Sequence, residues 1–327
     1  MLQILLVTFP FFALVLAGYV AGRRGWLPLE AIPGLNGFVL FFALPCLLYR
    51  FGASMPVAQL LDASVFFTYL ACALAMVALA IAISFNARIG WNDASFGALV
   101  AAFPNTGFMG VPLLVALLGP KAAGPAIITI LVDLLVTASL CIALSRLDGA
   151  DEHGAVETGV GRAAKNALKG VVMNPMPWAI LAGALSSAVS LTLPKPVEQT
   201  LGMLADAASP VALFTIGAVL ARSQILTAKG HAQPLPLGDY LPIVLLKLIV
   251  HPLLVLLVGA TAITLGVPLS KFALTVIVLV AALPSASNVA MLAERYDADS
   301  ARVARIIMLT TAAAFLTFSG AVALMVG

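Results

Sequence analysis

Phe103-Pro104-Asn105-Thr106-Gly107-Phe108-Met109-Gly110-Val111-Pro112 decides how this chain folds. The stretch lies inside a long apolar segment, where a helix should run without interruption and this composition prevents it. Proline removes a backbone donor and clashes with the carbonyl four residues earlier, and two glycines loosen the chain further. In hydrocarbon each freed backbone group costs several kcal/mol unless protein or trapped water satisfies it, so such a break persists only where it lines a cavity. A second interruption, Leu283-Pro284-Ser285-Ala286-Ser287-Asn288-Val289, repeats the pattern near the other end of the chain: proline, small polar residues, asparagine. Paired interruptions in corresponding positions of two halves point to the substrate site of a secondary transporter.

The composition sets the environment of these breaks. Of 327 residues 62% are hydrophobic and 9% charged, against roughly 45–50% and about 25% in soluble domains. The chain reads as an all-α polytopic membrane protein. Its longest polar stretch, Ser145 to Gly170, is too short to bury a core of its own. The Met-Leu-Gln start has no basic n-region, and Arg23-Arg24 follows the first apolar run, so an uncleaved first helix is expected. Cys46, Cys72 and Cys141 fall in apolar segments without metal-type spacing and read as small packing residues.

A spanning helix needs ~20 apolar residues, and ten segments supply them, at about 3–22, 34–53, 63–85, 94–118, 122–145, 171–192, 203–222, 240–264, 270–293 and 302–326. The basic residues fall unevenly between alternate connections. Arg23, Arg24, Arg88, Arg146, Arg162, Lys165, Lys169, Arg222, Lys229, Arg295, Arg302 and Arg305 belong to one set, and only Arg50, Lys121, Lys195 and Lys271 to the other. By the positive-inside rule the richer set is cytoplasmic, which places both termini on the outer, periplasmic side of the cytoplasmic (inner) membrane.

The chain then divides into residues 1–145, a cytoplasmic connection at 146–170, and residues 171–327, with five spans on either side. Five is odd, so a structural repeat must be inverted. Leu16-Ala17-Gly18 and Pro28 match Leu181-Ala182-Gly183 and Pro194 in order, and Pro45 matches Pro210. Span four therefore corresponds to span nine, the two interrupted ones. In the connection, Asp148, Asp151, Glu152 and Glu157 precede a basic run from Arg162 to Lys169, which reads as a solvated turn and a short helix on anionic lipid headgroups.

Thr106 and Ser287 have the chemistry of N-caps for half-helices following each proline. The unpaired N–H groups and dipole at such an end attract an anion. In an inverted repeat the two ends approach the midplane from opposite sides, so a carboxylate could rest between them while Asn105 and Asn288 orient it. Candidate substrate-binding residues are Pro104, Asn105, Thr106, Gly107, Pro284, Ser285, Ser287 and Asn288. Prolines that merely kink packed helices would explain one interruption better than two that each carry asparagine and a capping hydroxyl. Phe108 and Met109 read as core packing.

Ionisable residues deep in the membrane are functional or paired by default. Asp133 lies near the middle of span five, and Lys247 and His251 lie four apart on one face of span eight. These three are candidate ion-coupling residues for H⁺ or Na⁺; a structural ion pair is the plainer alternative. Asp62, Asp206 and Glu294 are expected near helix ends, snorkelling to the interface. No nucleophile–base pair, aspartate dyad or metal-ligand cluster suggests an enzyme. No other cofactor, metal or nucleic-acid partner is expected.

Several stretches resemble the auxin efflux carrier family. They are Leu35-Asn36-Gly37-Phe38 through Ala43-Leu44-Pro45, the decisive stretch Pro104 to Leu113, Asn174-Pro175, and Ser209-Pro210-Val211-Ala212-Leu213-Phe214 through Gly217. Lys247-Leu248-Ile249-Val250-His251-Pro252-Leu253 and Leu283 to Asn288 through Ala293-Glu294-Arg295-Tyr296 continue the likeness. Plant members of that family export auxin, and bacterial members are associated with malonate, malate and similar acids. The resemblance implies ten transmembrane helices in two inverted five-helix repeats, a scaffold and a transport domain, and broken helices four and nine crossing at the prolines. The family is similar in fold to bile acid symporters and sodium/proton antiporters, which suits Asp133 and Lys247 as a coupling pair. Some relatives pair as dimers, so a homodimer is compatible with the likeness. Plant members also carry a long cytoplasmic loop that this chain lacks, which favours a small carboxylate or dicarboxylate over auxin. The expected function is alternating-access transport of an organic anion; the alternative is a monovalent cation/proton antiporter carrying no organic solute.

Overall fold

Segments apolar all round, in lipid, can satisfy their backbone only by hydrogen bonding within themselves. The computed structural model describes residues 2–54, 62–86, 88–147, 175–229 and 236–326, and these form helices joined by short turns, with no strand among the described residues. In chain order they are α1 (Leu2–Arg23), α2 (Ala31–Phe38), α3 (Leu44–Ala53), α4 (Ala63–Ser84), α5 (Trp91–Ala102), α6 (Val111–Leu118), α7 (Ala123–Val132) and α8 (Ala138–Leu144). After the central connection come α9 (Pro175–Ala188), α10 (Lys195–Lys229), α11 (Leu237–Leu245), α12 (His251–Thr264), α13 (Lys271–Ala281), α14 (Asn288–Arg295) and α15 (Ser300–Val326). Single π-helical turns at Val39–Ala43, Asp133–Thr137 and Leu246–Val250 join α2 to α3, α7 to α8 and α11 to α12, and another at Thr106–Gly110 leads into α6.

Among the described residues, seven helical stretches are long and apolar enough to cross a membrane. They coincide with expected spans one, two, three, five, seven, eight and ten. Spans four and nine are each divided, into α5 and Thr106–Leu118 and into α13 and α14. Span six is described only as α9, 14 residues long. The chain is thus an all-helical, multi-pass membrane protein. The expected headgroup helix at Arg162–Lys169 lies outside the described residues.

Two compact units divide the chain, and each draws on both sequence halves. The first comprises Met1–Ala63, Thr106–Ile128 and Asn174–Ala232; the second comprises Ser64–Asn105, Thr129–Met173 and Gln233–Gly327. In the first unit α1 packs along α10 and α9 along α3. Both crossings are so close that only glycine fits. A Cβ at Gly18 would overlap the Phe214 carbonyl and one at Gly217 the Val15 carbonyl; likewise Gly183 meets the Tyr49 carbonyl and Gly52 that of Ile180. Gly52 and Gly217 share the offset that relates Pro45 to Pro210 and Gly18 to Gly183, so spans one with seven and six with two make equivalent crossings.

Two charges depart from expectation. Asp206 is not near a helix end but inside α10, which starts earlier than its apolar core, at Lys195. There it pairs with Arg50 at 2.6 Å within the first unit. Arg302, counted above with the connections, is inside α15 and only 2% exposed. Its guanidinium donates to the carbonyls of Asp239 (2.7 Å) and Asp93 (2.8 Å) and to the Ser84 hydroxyl (3.2 Å), tying α4, α5, α11 and α15 together.

Candidate functional site

Pro104 has no N–H, so the carbonyl of Val100, which would accept it in a continuous helix, is left without its donor. The second break supplies one. Ser285 Oγ, fully buried, donates to Val100 O at 2.7 Å. The extended peptides of the two breaks also pair directly: Asn105 N–H donates to Pro284 O (2.8 Å) and Ala286 N–H to Phe103 O (3.0 Å), an isolated antiparallel bridge centred on Pro104 and Ser285. Pro284 lacks its donor in turn, and Val280 O takes the Leu283 N–H at 3.1 Å instead. Ser285 N–H goes to Thr310 Oγ1 on α15 at 3.3 Å. The Ala281 carbonyl, released by the same departure from helix, accepts Lys247 Nζ at 2.9 Å. The breaks are therefore cross-satisfied, as hydrocarbon demands of irregular backbone.

Asn105 (3% exposed), Pro104, Pro284, Ser285 and Ser287 are buried in the second unit and Asn288 is half-buried there; Thr106 and Gly107 open the next segment of the first unit. The capping expectation is corrected. Ser287 makes no side-chain cap bond to α14, because its own backbone is already helical, and Thr106 Oγ1, fully buried, has no hydrogen-bond partner among the described residues. The Thr106 hydroxyl is left unspent among the described residues. A buried polar atom without a partner calls for an explanation such as a bound molecule.

The second unit also gathers the three ionisable residues, all fully buried. Two of the π-helical turns carry them: Asp133 opens Asp133–Thr137 and Lys247 lies in Leu246–Val250. Such turns recur at functional sites because the extra residue redirects side chains. Asp133 accepts from Tyr69 Oη and Thr137 Oγ1, each at 3.2 Å. Lys247 Nζ lies 3.1 Å from His251 Nδ1, besides its bond to Ala281 O. With Lys247 donating, the His251 proton sits on Nε2, which has no acceptor among the described residues. The Tyr69 ring lies 6.1 Å from that imidazole, between the two groups. Asp133 and Lys247 form no direct ion pair among the described residues. The ammonium instead neutralises the negative end of α13.

Sequence reasoning missed Tyr69, Thr137, Thr310 and the Val100 carbonyl. Thr137 was within reach, four residues after Asp133 on the same face. Tyr69 and Thr310 come from distant spans, and no local spacing marks them.

A family model described as membrane transport protein matches residues 4–322. A relative from Rhizobium meliloti (strain 1021), named "Putative malonate transporter", is 28% identical over 98% of this chain and 95% of its own length. "Uncharacterized transporter YfdV" of Escherichia coli (strain K12) is 26% identical over 88% of this chain and 87% of its own, and the protein of the same name in Shigella flexneri has the same figures.

Proposed function

The chain belongs to the auxin efflux carrier family of membrane transport proteins, and from that premise we propose that it is a secondary active transporter of a small organic anion. A dicarboxylate such as malonate fits best, given the name borne by the Rhizobium relative. The observation that carries the reading is the pairing of the two breaks through Asn105, Pro284, Phe103 and Ala286. Continuous spans, or breaks filled by aliphatic packing, would have left no such arrangement. In the second unit the carboxylate is held by Pro104, Asn105, Pro284, Ser285, Ser287 and Asn288. The Ser287 hydroxyl, which caps no helix, serves as a donor, and the asparagine amides orient it. Asp133, with Lys247 or His251, couples its movement to H⁺ or Na⁺.

Ten spans in two inverted repeats accommodate this reading. The matching glycine crossings of spans one with seven and six with two support the repeat. The first unit serves as scaffold, and the second carries the paired breaks and the coupling residues through alternating access. The protein is a carrier, not an enzyme, in the cytoplasmic membrane with both termini outside.

The second reading, a cation/proton antiporter without organic solute, draws on the fully buried Asp133 and Lys247 in one unit. Two assays separate them. In proteoliposomes containing purified protein, malonate uptake should fall at least about ten-fold in Asn105→Ala and Asn288→Ala, consistent with the loss of one or two hydrogen bonds to a charged group. Malonate should also raise the melting temperature of the wild type but not of those variants. Unchanged uptake and binding in both variants overturns the site. Cation–proton exchange at full rate without any carboxylate favours the second reading.

A further inference from the structure

We infer that Arg146 and Arg295, stacked on the ring of Tyr296, form an anion-capture site at the arginine-rich end of the second unit, where a carboxylate solute docks on its way to or from the crossover. The inference rests on the reading of the chain as a carboxylate carrier.

The two guanidinium carbons lie 5.1 and 6.0 Å from the centroid of the Tyr296 ring. Cation–π stacking on one ring holds both planar groups without consuming their N–H donors. The platform is fixed from behind. Phe96 packs on Tyr296 with centroids 6.0 Å apart, and Asn92 Nδ2 donates to the carbonyls of Tyr296 and Asp297, each at 3.1 Å. Asp299 N–H donates to Asp93 Oδ1 at 2.7 Å, and Arg302 anchors the same turn. The turn is thus held by four polar contacts while the two arginines above it have none to a carboxylate among the described residues. Glu294 and Asp297 flank Arg295 in sequence yet make no ion pair with either arginine. Arg295 is exposed and Arg146 half-buried, so both charges reach solvent.

Their place in the chain gives this charge a use. Arg295 ends α14, whose first residue is Asn288 of the second break, and eight helical residues span roughly 10 Å. Arg146 follows α8, the continuation of the turn that carries Asp133. Arg295 therefore ends a helix that begins at a residue assigned to the substrate, and Arg146 follows the helix that continues the turn of Asp133. Guanidinium forks bind carboxylates bidentately, and two of them match a dicarboxylate better than a single-charged acid. A concentrated positive charge at the surface also raises the encounter rate with anions, in a manner that salt suppresses.

The test is protection from phenylglyoxal, which modifies free arginine side chains, read peptide by peptide by mass spectrometry on purified protein in nanodiscs of phosphatidylcholine. Malonate should slow modification of Arg146 and Arg295 several-fold, acetate less, while Arg88, held by Asp239 at 2.8 Å, serves as internal reference. The Asn105→Ala/Asn288→Ala variant should keep that protection while losing uptake, which separates the clamp from the crossover; in the wild type, protection without any malonate uptake would sink the transport reading and leave the clamp standing. In vesicles, Arg146→Gln/Arg295→Gln should raise KM for malonate about ten-fold from the arginine-rich face only, with kcat unchanged and the salt dependence flattened. Equal modification rates with and without malonate overturn the inference. So does a KM change of equal size on both faces, or protection that malonate fails to give and phosphatidylglycerol supplies, which would make the pair a lipid-headgroup site.

Discussion

Ser285→Ala removes one hydroxyl and almost no volume, so it isolates the bond from Ser285 Oγ to Val100 O. That carbonyl is special: the amide that would serve it in a helix belongs to Pro104 and has no hydrogen. Without Ser285 it is a buried acceptor with no donor, a state that costs about 1–3 kcal/mol. At roughly 2–3 °C per kcal/mol for a chain of this size, the melting midpoint should fall by about 2–9 °C. Thr311→Val is the matched control. Thr311 Oγ1 donates to Ile307 O at 2.7 Å and is also buried, but in an α-helix Ile307 O already receives the amide of Thr311. Its loss should cost no more than about 0.5 kcal/mol. Scanning fluorimetry of both variants in one detergent at one scan rate makes the comparison. Equal losses, or none in Ser285→Ala, would refute the claim that the second break completes the hydrogen bonding of the first.

Four further outcomes follow from the same geometry. Gly217→Ala drives a methyl into the Val15 carbonyl and should destabilise the first unit by about 1–3 kcal/mol. Gly34→Ala, on an exposed stretch of α2 with open space beside it, should be neutral or stabilising by about 0.5–1 kcal/mol in the same melting assay. Asp133→Asn should abolish the dependence of malonate uptake on an imposed H⁺ or Na⁺ gradient while gradient-free exchange persists; an unaltered dependence rules Asp133 out as the coupling residue. Tyr69→Phe keeps the ring and deletes one of the two donors to Asp133, worth about 1.5–3 kcal/mol. Gradient-driven uptake should drop roughly ten-fold and the melting temperature should fall by about 3–9 °C, and wild-type uptake would show that the hydroxyl is idle.

The composition and the spacing of apolar runs determined by themselves that this is a helical membrane protein, because lipid admits no other open-ended way to satisfy a backbone. They also located both breaks, where Pro104 and Pro284 fall beside asparagine, glycine and small polar residues; a proline by itself does not break a span, since α1, α10 and α11 run through Pro10, Pro210 and Pro242. Gly18 and Gly183 were legible as partners in an ordered repeat, but not as points where helices touch, and Gly52 and Gly217 emerged as their counterparts only from the crossings. What the sequence alone left undetermined was the destination of each freed backbone group. Val100 O is served from Ser285 and Ala281 O from Lys247, partners that only the folded second unit brings near. Thr106 and Ser287 show the same boundary from the other side. Their residue type predicts helix caps, a local bond, yet the local geometry of the breaks leaves both hydroxyls outside the helix hydrogen-bond pattern. Local chemistry dictates where a chain must break; which distant atoms heal the break depends on packing between spans, and no one-dimensional spacing encodes that.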